Sequence, residues 1–216
     1  GLVNLYGLGR VHHFDAGAVL GRVLADALAQ EPDLLVFTGD VTALAAEAEF
    51  AVARRCFEAA IATLPCVFVP GNHDTYTRGA VRSHRMEAFF GDVMGGGVWD
   101  AAAGSWAGAG RGGGVDWPVA FTLGDLEIVA TNPCRPVLRS TGRFGPAALA
   151  RAEALVRAGR EAGRQVLYLL HYPPLWGDGQ PYDRSGHNLV DVEALLASLR
   201  RQPPDLVLHG HNHSAW

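Results

Sequence analysis

Cys66-Val67-Phe68-Val69-Pro70-Gly71-Asn72-His73-Asp74 passes from an apolar run directly into a cluster of polar, ligand-bearing side chains. A short β-branched and aromatic run closed by Pro-Gly reads as a buried strand followed by a tight turn. The same transition recurs along the chain. Leu34-Leu35-Val36-Phe37-Thr38 runs into Gly39-Asp40, Val166-Leu167-Tyr168-Leu169-Leu170 into His171, and Leu206-Val207-Leu208 into His209-Gly210-His211-Asn212-His213. Ligands of an α/β sheet collect outside the carboxyl ends of its strands. Asp, Asn and His are the side chains a divalent cation takes. The series therefore reads as a metal site assembled from separate strand ends.

Between these strands the pattern turns helical. Ala16 to Ala29 places Val19, Leu20, Val23, Leu24, Ala27 and Leu28 at helical spacing behind Asp15, an expected N-cap. Ala43 to Leu64 is an Ala-rich helix stopped at Pro65, and Arg82 to Phe90 reads as another. Val119–Leu123, Gly124-Asp125 and Glu127–Thr131 read as a hairpin. Helices over Pro146–Ala158 and Asp191–Leu199 flank the strand that ends at His171, and a Pro/Gly-rich loop runs from Pro173 to Gly186. Strands alternating with helices predict an α/β fold with a parallel sheet and crossover helices.

One stretch breaks the alternation. Residues from about 91 to 118 are dominated by Gly and Ala, with Trp99, Trp106 and Trp117 among them. The plain expectation is a surface insertion loop; the alternative is a binding loop whose tryptophans line a substrate mouth.

A chain of 216 residues with 49% apolar and 19% charged residues has the composition of one globular domain. A net charge of −4 gives no electrostatic footprint for nucleic acid or an anionic membrane. No apolar run approaches the ~18–20 residues of a membrane span. Cys56, Cys66 and Cys134 stand at no metal-ligand spacing and read as reduced thiols. The expected location is the cytoplasm, with a removed leader left open because the chain begins at Gly1.

The candidate ligands differ in kind. Asp40 offers a carboxylate able to bridge two cations, Asn72 a neutral oxygen, and His171, His211 and His213 imidazole nitrogens. This mixed set suits Mn, Fe, Zn or Co better than Ca or Mg. Each piece alone has an ordinary explanation as a turn or a hydrogen-bonded histidine; together, in order at strand ends, they do not.

Gly39-Asp40, Gly71-Asn72-His73-Asp74, His171 and Gly210-His211-Asn212-His213 together resemble the motifs of the calcineurin-like metallophosphoesterases. The resemblance spans most of the chain. It implies a β-sandwich of two mixed sheets flanked by helices, with metals at the strand ends. By resemblance, one cation is held by Asp40, Asn72, His171 and His211, and a second shares Asp40 and adds His213. His73 is then the catalytic residue beside the scissile phosphate, with Asp74 orienting its imidazole. The implied activity is hydrolysis of a phosphoester, a phosphodiester or pyrophosphate, by metal-activated water. The implied partner is a phosphorylated small molecule or nucleotide, with one or two divalent cations as cofactors.

The sequence departs from the family at its first motif. Where the family carries Asp-x-His, this chain has Asn4 and Tyr6, so the cation shared by Asp40 and His213, the family's first, loses a carboxylate and an imidazole. His12, His13 and Asp15 follow closely and are alternative donors. Two expectations stand: a phosphoesterase with a weakened first metal site, or a degenerate relative that binds metal, ligand or protein without turnover. The first strand has only a few residues before Asn4, and the chain stops at Trp216, where the family continues with further strands; truncation at both ends and a natural short variant are both open. Tyr182, Arg184 and His187 lie in the loop after His171, with Arg184 a possible phosphate contact.

Overall fold

The computed structural model describes residues 15–108, 113–137 and 139–213. The strand expected around Asn4 and Tyr6, and the histidines His12 and His13, lie outside the described residues.

Chain order is α1 (Ala16–Ala29), β1 (Leu35–Phe37), α2 (Glu47–Thr63), β2 (Cys66–Phe68), α3 (Arg78–Arg82), α4 (Arg85–Phe90), a 3-10 turn (Gly91–Val93), β3 (Gly97–Asp100) and β4 (Ser105–Ala107). There follow β5 (Val119–Leu123), β6 (Leu126–Ala130), α5 (Pro146–Glu161), β7 (Gln165–Leu169), α6 (Val192–Arg201) and β8 (Leu206–Leu208). Strands β1 and β2 pair in parallel, Val36 opposite Val67. The other strands form a mixed sheet in the order β4-β3-β5-β6-β7-β8. Its β6, β7 and β8 are parallel, while β5–β6 is the antiparallel hairpin turned at Gly124-Asp125.

Side chains alternate across a strand, and here the alternation builds the layers. Cys66 and Phe68 join a core with Phe50, Phe57 and Phe90 from α2 and α4. Val67 and Val69 face the other way, onto Phe121, Ile128, Ala130, Leu167 and Leu169 of the large sheet. Val129, Val166 and Tyr168, on that sheet's far face, pack under Leu149, Ala152 and Val156 of α5. The result is helix, sheet, sheet, helix. The resemblance implied two mixed sheets; the large one is mixed, but among the described residues the small one is wholly parallel, because α2 is a crossover connection. No helix among the described residues is long and apolar enough to cross a membrane.

Several expectations shift. Helix α1 starts at Ala16 as expected, with Asp15 Oδ1 accepting from the Ala18 N–H at 3.0 Å. Helix α2 starts at Glu47, not Ala43. The Glu49 carboxylate reaches back to accept from the amides of Ala43, Leu44 and Ala46, which holds that stretch in a loop. The helix expected over Arg82–Phe90 is two short ones, broken where His84 takes a left-handed φ of 48°.

The Gly/Ala/Trp stretch is the largest correction. Much of it is neither loop nor mouth, because β3 and β4 form a hairpin that extends the large sheet. Trp106 is 5% exposed, packs on Phe121 with ring centroids 4.8 Å apart, and donates from Nε1 to the Cys66 carbonyl at 2.8 Å. Trp99 packs on Trp106 at 5.2 Å, and Trp117 lies against both apolar cores that flank the small sheet. Burial of large aromatic surface outweighs the low strand propensity of the surrounding glycines.

Candidate metal centre

The carboxyl ends of β1, β2, β7 and β8 converge, and each delivers one expected ligand: Asp40, Asn72, His171 and His211. Close backbone approach makes this possible. A Cβ on Gly71 would overlap the Asp40 amide and carboxylate, and one on Gly39, at φ +100°, would overlap the Gly71 backbone. The glycines of the first two motifs are therefore contact points between loops. Asp40, His211 and His213 have left-handed φ of 65°, 70° and 54°. For non-glycine residues this costs roughly 1–2 kcal/mol each and is typically found where function demands it.

The imidazole tautomers follow from their carbonyl partners, which only accept. His171 donates from Nδ1 to the Thr38 carbonyl at 2.7 Å, leaving the Nε2 lone pair facing inward. His211 donates from Nε2 to the His187 carbonyl at 2.8 Å, leaving Nδ1 facing inward. His171 Nε2 then lies 3.0 Å from Asn72 Oδ1, 3.1 Å from His211 Nδ1 and 3.4 Å from Asp40 Oδ2. Asn72 Oδ1 lies 2.9 Å from His211 Nδ1. With neutral imidazoles, no proton stands between any of these atoms. Electron pairs brought together without a donor call for a cation. Bonds of ~2.0–2.2 Å to a divalent ion set its ligands roughly 3.0–3.5 Å apart, which is the spacing found. The residues fit a divalent metal.

Without a cation, a proton shared between Asp40 and His171 partly takes its place. Burial opposes charge on Asp40, but the hydrogen bond and charge of His171 outweigh it and leave the Asp40 pKa lowered. His171 is raised: burial works against its charge, and Asp40 more than compensates. His211 is pushed down to about 4, first by burial and then by the charge of His171, which keeps its lone pair free.

His73 lies beside this cluster. Its amide donates to Asp40 Oδ1 at 2.9 Å, its Nδ1 donates to the Ala43 carbonyl at 2.7 Å, and its ring stacks on Tyr76 at 5.9 Å. The sequence reading placed Asp74 behind this imidazole. Instead the Asp74 carboxylate is buried and accepts from the amides of Asp40, Gly71 and Thr42 and from the Thr42 hydroxyl. Asp74 ties the β1 loop to the β2 loop, and the Ala43 carbonyl orients His73. A short Asp side chain that follows His73 directly in a tight turn points into the turn. Burial first, and the nearby Asp40 charge second, push Asp74 up to about 6.

Asp40, Asn72, His73 and His211 line a cleft of about 340 Å³ together with Ser140, Arg184, His187 and His213. His213 thus shares the cleft with Asp40 but stands exposed, outside the cluster of Asp40, His171 and His211. Tyr182 is buried against Trp176 rather than lining the cleft. The carbonyls of Thr38, Ala43 and His187, which set the tautomers, carry no sequence signal. Thr42, two residues after Asp40, was also missed.

The profile of the calcineurin-like phosphoesterases matches residues 11–215. The chain belongs to that family. It is 30% identical to a probable cyclic nucleotide phosphodiesterase from Synechococcus sp. (strain WH7803), over 96% of this chain and 69% of that protein. In structure it is similar to a dimetal phosphatase from Danio rerio, with a TM-score of 0.60 and 16% identity over 91% of this chain and 72% of that one. The second likeness concerns the fold.

Proposed function

We propose that this chain hydrolyses a phosphodiester or pyrophosphate bond, with one cation at Asp40, Asn72, His171 and His211 and a second, weaker site between Asp40 and His213. The observation that carries the reading is the convergence of Asp40, Asn72, His171 and His211, from four separate strand ends, with their ligand atoms turned toward one another. Divalent cations held there would polarise the phosphoryl group and make water a nucleophile near neutral pH.

The chain's own residues supply the rest. His171 and His211 are locked in the tautomers that present lone pairs. His73, fixed through Nδ1, presents Nε2 to the cleft and, when protonated, donates to the leaving oxygen as the phosphorus–oxygen bond breaks with its electron pair. The attacking water forms the new bond and releases its proton to solvent. Arg184, on the cleft wall, holds a free phosphoryl oxygen. The relative's name favours a nucleotide-type substrate. Asn4 and Tyr6, in place of Asp and His, support depletion of the site between Asp40 and His213, and slow turnover.

The test pairs metal counting with turnover of bis(p-nitrophenyl) phosphate in Mn²⁺. Asp40→Asn should abolish both, whereas His73→Ala should lower kcat by about 10²–10⁴ with the metal count unchanged. Asn4→Asp with Tyr6→His should raise both metal count and rate. Turnover indifferent to Asp40 and His73 would sink the reading. Metal binding without any turnover would favour the non-catalytic binding module.

A further inference from the structure

A second groove of about 660 Å³ is lined by Tyr76, Arg78, Arg135, Arg139 and Thr141, with Pro136 and Val137 between the arginines. No residue lines both this groove and the metal cleft, but the two are connected at two places. Tyr76 stacks on His73, which faces the metal cleft. Ser140 lines the metal cleft while its neighbours Arg139 and Thr141 line the groove.

The groove gathers three arginines and no carboxylate. The chain carries a net charge of −4. Arg54, Arg151, Arg157, Arg160, Arg164 and Arg201 each lie within 4 Å of a carboxylate. Among the described residues, Arg78, Arg135 and Arg139 make no ion pair, and no Asp or Glu lines the groove. Arg135 is braced instead, with Nη2 donating to Thr141 Oγ1 at 3.0 Å and Nε to its carbonyl at 3.3 Å. Guanidinium groups gathered without a counter-charge repel one another, and an anion spanning them relieves that repulsion. Arginine is the side chain suited to phosphate, through paired N–H donors and a long reach.

We propose that this groove is a second anion subsite, which takes the neighbouring phosphate of a pyrophosphate-linked substrate while the scissile phosphate occupies the metal cleft. The inference rests on the phosphoesterase reading and narrows its substrate class. A cyclic nucleotide, with a single phosphate, leaves the groove unused; a nucleoside diphosphate ester fills both.

The experiment compares UDP-glucose, with two phosphates, against bis(p-nitrophenyl) phosphate, with one, in Mn²⁺-loaded protein. Arg78 and Arg139 are exposed, so Arg78→Gln and Arg139→Gln should fold normally. Each should raise KM for UDP-glucose about five-fold, the size of one solvent-screened ionic contact, with kcat within about two-fold. KM for bis(p-nitrophenyl) phosphate should stay unchanged. Equal effects on both substrates, or none on either, overturn the subsite. If neither substrate turns over, the phosphoesterase reading fails, and equilibrium binding of UDP-glucose decides the subsite separately. Weaker binding by the double variant upholds it; equal or absent binding overturns it.

Discussion

Adding or removing a divalent cation should change the stability of this protein measurably, and the geometry sets the size. Asn72 Oδ1, His171 Nε2 and His211 Nδ1 sit within 3.1 Å of one another around the Asp40 carboxylate. A buried acceptor left without a donor costs about 1–3 kcal/mol, so the ion-free centre carries a penalty that a bound cation removes. Linkage gives about 2.7 kcal/mol of stabilisation at a hundred-fold excess over Kd. For a chain of this size that is a rise in Tm of roughly 5–11 °C. The assay is thermal unfolding with Mn²⁺ or Zn²⁺ against chelator. Asn72→Ala provides the cross-check. Having deleted one of the unsatisfied acceptors, it should leave ion-free stability within about 1 kcal/mol of the parent while losing most of the ion-induced rise. The rise should also shrink as pH falls, because protons and cations compete for His171 Nε2 and His211 Nδ1. That competition starts at a higher pH for His171, whose pKa is raised, than for His211, held near 4. A Tm indifferent to metal and chelator, or an Asn72→Ala variant with the full ion-induced rise, would refute the reasoning.

Two further predictions separate structure from catalysis. Asp74→Ala takes the acceptor from three backbone amides and should lower unfolding stability by about 2–4 kcal/mol, with metal affinity falling alongside, as urea titration would show. A variant of full stability but altered pH–rate profile would return Asp74 to a role on His73. Trp106→Ala empties a packed core position and should lower stability by about 3–5 kcal/mol with KM unchanged; the reverse pattern would revive the substrate-mouth reading.

Much of the site was legible because ligand chemistry is local. Asp40, Asn72, His171 and His211 each stand just past an apolar run, and a strand end fixes where a side chain emerges within a residue or two. Asp74 was misread for the opposite reason. Its role depends on the amides of Asp40 and Thr42, more than thirty residues away in sequence, and backbone donors look alike in any sequence. Trp106 was misread because glycine-rich surroundings signal a loop, while its fate was decided by packing between two sheets. The groove of Arg78, Arg135 and Arg139 had no sequence signal, since its residues come from the start of α3 and from the stretch between β6 and α5.

The amino-acid order by itself determined which residue types could bind a cation, their succession at strand ends, and hence the class of chemistry. Both are properties of short segments, set by side-chain identity and the period of apolar residues. Tertiary structure alone decided which nitrogen of each histidine faces inward, that Asp74 braces two loops, and that an unpaired cationic groove opens beside the cleft. These depend on carbonyls, amides and guanidinium groups brought together across the fold, where contact rather than sequence spacing sets the energy.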